Sequence, residues 1–298
     1  WRTEDRHTQA WTVLTTARSD RIAATLGLAG PAAAAPRCLA CHAPAAVDTG
    51  APTDPGARRD GVSCEACHGA AEGWIARHTE RGWTHADSVA RGMRDLRTPA
   101  VAAARCLDCH LGNAADTVDH DLLAAGHPLL SFELDTFATS LPAHWAPHDA
   151  NRAWFDGRAW VAGQAALLAR VAALAARGAR PAGWPDFGGS ECTACHHEIN
   201  RDPAWPLAGN GERPAIDQWF ATGVVPAVEV LLPSHAASLR AALAAFAEVG
   251  STDPRAEEAS ARLVTVAHAL TVRANEPIGD AALRAIGRRL IENAPRGF

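Results

Sequence analysis

The chain has 298 residues, 48% of them hydrophobic, which is enough apolar content for one large domain or two of ordinary size without disulfide staples. Its formal charge is −5 and its 28 basic residues are all arginine, a balance that argues against nucleic acid as a partner. Tyr is absent and Met occurs once, so chemistry that needs a phenol or many thioethers is excluded.

In chain order, the spacing of His7, Ala10, Trp11 and Leu14 predicts a helix from about His7 to Leu28 with the imidazole at the head of its apolar face. Gly- and Pro-rich loops come next, with a short helix expected before Cys106. A long amphipathic helix is predicted from about Arg152 to Arg177, with apolar positions Val161, Leu168, Val171 and Leu174. Gln164 and Arg170 interrupt it, so it is read as packed against protein and not as a membrane span. Beyond about Pro214 no cysteine occurs. There Ser234 is expected to cap a helix through Leu239, Leu243 and Phe246, Asp253-Pro254 to start another and Glu276-Pro277 a third. The expected organisation is a cysteine-rich domain over 1–213 and a helical C-terminal unit over 214–298, mainly α with extensive loops.

All eight cysteines fall into four Cys-x-x-Cys-His units: Cys38, Cys41, His42; Cys64, Cys67, His68; Cys106, Cys109, His110; and Cys192, Cys195, His196. This is the attachment signature of c-type haem, in which two thiols bond the porphyrin vinyl groups and the following histidine becomes an axial ligand of the iron. Zinc ribbons use paired cysteines but have no need of a histidine after every pair; four such placements by chance have odds on the order of one in a hundred thousand. Four covalent haem c groups are therefore expected. Because thioether attachment occurs outside the cytoplasm, the protein is expected to be exported, periplasmic or extracellular. The chain opens without an apolar signal region, so a signal is expected to have been removed or to lie outside the sequence.

Bis-histidine ligation is the default for these irons, since Met93 is the single methionine. His7, His78, His127 and His120 are the candidate distal ligands, with His144 in reserve. Gly126 and Pro128 bracket His127 and are expected to end a helix there. His85 is expected to face solvent and His148 to lie in a loop. His197 adjoins a proximal ligand and cannot cap the same haem, and His235 and His268 are expected to have no haem role.

The stretches "DRHTQAW", "CLACH", "DGVSCEACHG" and "RCLDCH", with His78 between the last two, resemble the multihaem c-type cytochromes related to the tetrahaem family that accepts electrons from hydroxylamine oxidoreductase. The resemblance covers roughly Trp1 to Leu130. It implies a fold organised around a chain of haems, and crossed ligation: His7 would cap the haem of Cys64, Cys67 and His68, and His78 that of Cys106, Cys109 and His110. In that family the haem matching Cys38, Cys41 and His42 can be five-coordinate, and a further upstream haem site is common that this sequence does not contain. The implied function is electron transfer between redox partner proteins, with a homopolymeric extracellular filament as a variant by family analogy. The alternative is an oxidoreductase acting on a small nitrogen or oxygen compound at a five-coordinate first haem. Against its familiar versions stands the absence of the Tyr and Lys they use.

Overall fold

Proline opens two of the three helices that carry described cysteine motifs, and each of the three ends on its motif histidine. Pro36 begins α3 (Pro36–His42) and Pro99 begins α7 (Pro99–His110), where a missing N–H costs nothing and φ is already set for a helix. The third, α5 (Cys64–His68), stops at Gly69, whose φ of 80° takes the chain out of the helix. The computed structural model describes residues 4–44, 55–113, 116–128, 132–142, 157–177, 223–248 and 255–293.

The chain divides into two compact units, 1–151 and 152–298. Both are helical, and among the described residues the sole β feature is an isolated bridge between Gly112 and Thr117.

In the first unit the helix expected from His7 to Leu28 is broken. A 3-10 turn, Arg6–Gln9, leads into α1 (Ala10–Val13), and α2 (Ala17–Thr25) starts afresh after Thr16. The cause is side-chain competition for the backbone. Thr15 and Thr16 donate their hydroxyls to Thr12 O and Val13 O, each at 2.8 Å, and Thr16 then caps α2 by accepting from Ser19 N. The remaining helices are short: α4 (Pro55–Arg58), α6 (His85–Val89), α8 (His120–Ala124) and α9 (Leu134–Ser140). Capping explains several of them. Thr84 and Asp87 form a capping box on α6, Asp119 accepts from Leu122 N at 2.9 Å, and Glu133 accepts from Asp135 N and Thr136 N. The hydrophobic core is thin and made largely of alanine, with one cluster of Leu14, Ala23, Ala32, Leu39 and Ala43.

The second unit is an ordinary helical core. α10 (Arg158–Arg177) packs along α13 (Arg255–Ala274), α12 (Ala236–Glu248) also lies on α13, and α11 (Val224–Leu231) packs on α14 (Asp280–Asn293). Val161, Leu168, Val224, Val228, Leu239, Leu263, Val266 and Leu270 are buried between them, and the buried Ser260 hydroxyl donates to Ala172 O at 2.9 Å. The long helix expected from Arg152 is thus found from Arg158, inside this unit. Two expected starts differ. Pro233 and not Ser234 opens the turn before α12, where Pro fixes φ, and α14 begins at Asp280 with Gly279 O accepting from Ala282 N and Leu283 N. No helix among the described residues is long and apolar enough to cross a membrane.

Candidate haem site

Within a helix, positions i, i+3 and i+4 share one face, so each Cys-x-x-Cys-His sequence sends two thiols and an imidazole to the same side. Of the two residues between the cysteines, one turns inward in each motif: Leu39, Ala66 and Leu107 are all buried. The three described motifs converge. Cys41 and Cys109 are hydrogen-bonded to each other, Cys67 lies close enough to Cys106 to act on it, and Cys109 acts on Cys67. All six described motif cysteines are free thiols. Burial pushes the Cys38 and Cys67 thiols up, and burial together with Cys67 and Cys109 pushes Cys106 up to about 12. The bond to Cys41 together with burial raises Cys109, and the same bond lowers Cys41.

Arginines knit the motifs together. Arg94 donates to Cys67 O at 2.5 Å and its N–H to His68 O at 2.7 Å, while Arg105, just before Cys106, donates to Ala66 O. Positive charge at the carbonyl end of α5 is favourable, and Arg105 thereby ties the second motif to the third. Arg94 and Arg105 also line a cleft of about 370 Å³ with Ala100, Val101, Ala104 and Asp108. Arg37, before Cys38, pairs with Asp119 at 2.5 Å.

The turn from Asp5 to Ala10 touches all three motifs. His7 O accepts from Val62 N at 3.1 Å, two residues before Cys64. Gly61 permits that approach, since its φ is +62° and an added Cβ would stand 2.7 Å from His7 O. His42 Nδ1 donates to Ala10 O at 2.7 Å. The His7 ring lies 6.2 Å from the His110 ring at an interplanar angle of 81°.

A second pair has the same form. Gly126, with φ of 103°, ends α8 after His120–Ala124, and His127 N closes on Leu122 O at 3.1 Å, as the bracketing residues led one to expect. The His127 ring is thereby set 6.4 Å from His42 at 88°, with Nδ1 on Pro128 O at 2.8 Å. Burial holds the His110 and His127 imidazoles below the usual histidine range.

Two imidazole nitrogens about 2 Å from one metal, on opposite faces, put ring centres about 6 Å apart. His42 and His127 bind backbone carbonyls through Nδ1 and His7 binds the Asp5 carboxylate, leaving Nε2 for a metal in each. His110 Nδ1 is buried without a hydrogen-bond partner, and the His110 ring packs against Phe132 and Phe137, which also touch each other. No group of three or more His, Cys, Asp or Glu among the described residues is arranged to hold a bare metal ion. The donor set therefore fits haem.

The pairings differ from those carried over by resemblance. His7 faces His110 and not His68. His78 is exposed in the loop after α5, its Nδ1 on Ile75 O at 2.5 Å and its ring 6.1 Å from Trp74, which lies 6.2 Å from His68. His127, rather than His120 at the start of α8, is the one of that pair brought against a described motif histidine. His85 does not face solvent: it is half-buried and meets Asp95 Oδ1 at 2.9 Å. His268 is exposed, and His235 contacts Ser234. Cys192, Cys195, His196, His197, His144 and His148 lie outside the described residues. Sequence reading missed Asp5, the Ala10 carbonyl and the Phe132–Phe137 wall. Asp5 alone left a signal, as an acid two residues before a candidate ligand.

Residues 1–69 match the family model described as cytochrome c554 and c-prime. No curated protein and no solved structure matches the chain. The matched segment holds His7 and the first two motifs, under a quarter of the sequence, and it supports a c-type cytochrome with covalently bound haem.

Proposed function

We propose that the chain is a tetrahaem electron carrier that works outside the cytoplasm between redox partner proteins. The observation that carries this reading is the pair of facing imidazoles, His7 with His110 and His42 with His127, each joining a motif histidine to one from elsewhere in the chain. When bound, haem supplies a one-electron Fe(III)/Fe(II) couple. The chain's own residues hold, orient and insulate it. Cys38, Cys41, Cys64, Cys67, Cys106, Cys109, Cys192 and Cys195 anchor four groups, and His42, His68, His110 and His196 are the proximal ligands. His7 would supply the second imidazole to the third group and His127 to the first. Arg94 and Arg105 offer positive charge to acidic haem substituents at the cleft beside α7. The alanine-rich core leaves porphyrin to supply apolar bulk that side chains do not.

The oxidoreductase reading placed its open iron on the first haem. His127 facing His42 weighs against it. The test is to produce the full chain in a bacterium with cytochrome c maturation and weigh the denatured protein. Four haems are expected in the parent chain and three in C192A/C195A; a mass with no haem overturns the reading. An oxidised spectrum dominated by high-spin iron that shifts with cyanide would favour the enzyme.

A further inference from the structure

The two imidazole pairs are alike in spacing but not in what holds them. In the first, His42 and His127 both give their Nδ1 protons to neutral backbone carbonyls, Ala10 O at 2.7 Å and Pro128 O at 2.8 Å. In the second, the His7 Nδ1 meets a carboxylate, Asp5 Oδ1, at 3.0 Å. That carboxylate is held in place: the same Oδ1 accepts from His7 N at 2.9 Å, Asp5 O accepts from Thr8 N and from the Thr8 hydroxyl, and the Asp5 side chain is 12% exposed. Asp5 also lies near enough to Cys67 to raise its thiol.

From this contrast we infer that Asp5 is a positioning residue that lowers the potential of an iron held by His7 and His110 below what it would be without the carboxylate. A carboxylate receiving the Nδ1 proton makes the imidazole more basic toward a metal and stabilises the more positive oxidation state. A peptide carbonyl does so less, because it carries no charge. The redox step is one electron, Fe(III) to Fe(II). The Nδ1 proton stays in the His7–Asp5 hydrogen bond, so no atom is gained or lost. The two ligand pairs would then differ in how the chain tunes them. The turn between them is short: four residues, from His7 to Ala10, and the hydrogen bond to His42 join the two ligand sets.

The inference rests on the proposal that the chain carries haem, and the experiment separates the two. The full-length loaded protein is titrated spectroscopically with dithionite, the reductant, as wild type, D5N, D5E and E80Q. Asn caps a helix start as well as Asp does, so D5N keeps the turn and removes the charge. The expected result is that one of the four midpoints rises in D5N by about 59 mV, a tenfold change in the equilibrium of a one-electron couple, with low-spin spectra unchanged. D5E restores most of the shift, and E80Q, which removes a surface carboxylate paired to Arg77, moves nothing. Unchanged midpoints in D5N overturn the inference while leaving the haem reading intact, as do equal shifts at every haem. High-spin iron in D5N overturns it by showing a purely structural cap. A wild-type chain without haem overturns both.

Discussion

Replacing Gly61 with alanine probes the contact that joins the N-terminal turn to the second motif. Two costs add. Gly61 has φ of +62°, a conformation that costs an L-residue about 1–2 kcal/mol. The new Cβ would lie 2.7 Å from His7 O and 3.1 Å from Thr8 O, both backbone atoms that cannot swing aside. The turn must move, and the bond from Val62 N to His7 O goes with it, about 0.5–1.5 kcal/mol more. The total is about 2–3 kcal/mol, or roughly 5–10 °C in Tm for a unit of this size. Gly27 is the control: its φ is +67°, yet nothing lies within 4 Å of its missing Cβ, so G27A bears only the backbone cost. Scanning calorimetry of the loaded proteins should show G61A melting below G27A, with a rise in high-spin iron as His7 is drawn from His110. Equal melting temperatures and unchanged spectra would refute the argument that Gly61 seats His7.

The ligand pairs make sharper claims. H127A should leave the His42 iron five-coordinate and able to bind carbon monoxide, whereas H78A should leave every described pair low-spin; high-spin iron in H78A would restore the pairing carried over by resemblance. In the second unit, the Glu229 carboxylate is 8% exposed and bonds Arg240 of α12 and Arg289 of α14. E229A should lower stability by about 1–3 kcal/mol by urea unfolding, a moderate loss because both arginines can reach water. Acid should loosen the segment from Trp83 to Thr98. Burial acts on Asp95 in the upward direction, but hydrogen bonds from the His85 ring, Arg97 N–H and Thr98 hydroxyl outweigh it and hold the carboxyl below its usual range. A depressed native pKa gives stability that is present above the ordinary carboxylate range and lost as pH falls through the native value. Pepsin should therefore cut within 83–98 increasingly below about pH 4, and D95N should be cut already above it.

The shared face of each motif's thiols and imidazole was legible because it is local: three residues on one helical turn need only their spacing. The corner at His127 was legible for the same reason, since Gly126 and Pro128 act within a few residues of it. The partners of the distal histidines were not. His7 reaches His110 across about a hundred residues, and nothing in either neighbourhood names the other. The break in the first helix was missed because Thr15 and Thr16 sit on an otherwise convincing apolar period, and hydroxyl competition for backbone carbonyls does not alter that period. His85 was misjudged in the same way, as its partner Asp95 lies ten residues on, past a turn and a helix.

The match to a known family covers residues 1–69, and the hydrogen bonds explain why that stretch coheres. Within it the N-terminal turn fixes the first motif through Ala10 O and His42, and the second through His7 O and Val62 N. Yet the imidazoles that face His42 and His7 come from His127 and His110, both beyond the match. On the proposed reading, the matched segment is a frame whose facing imidazoles are supplied from downstream.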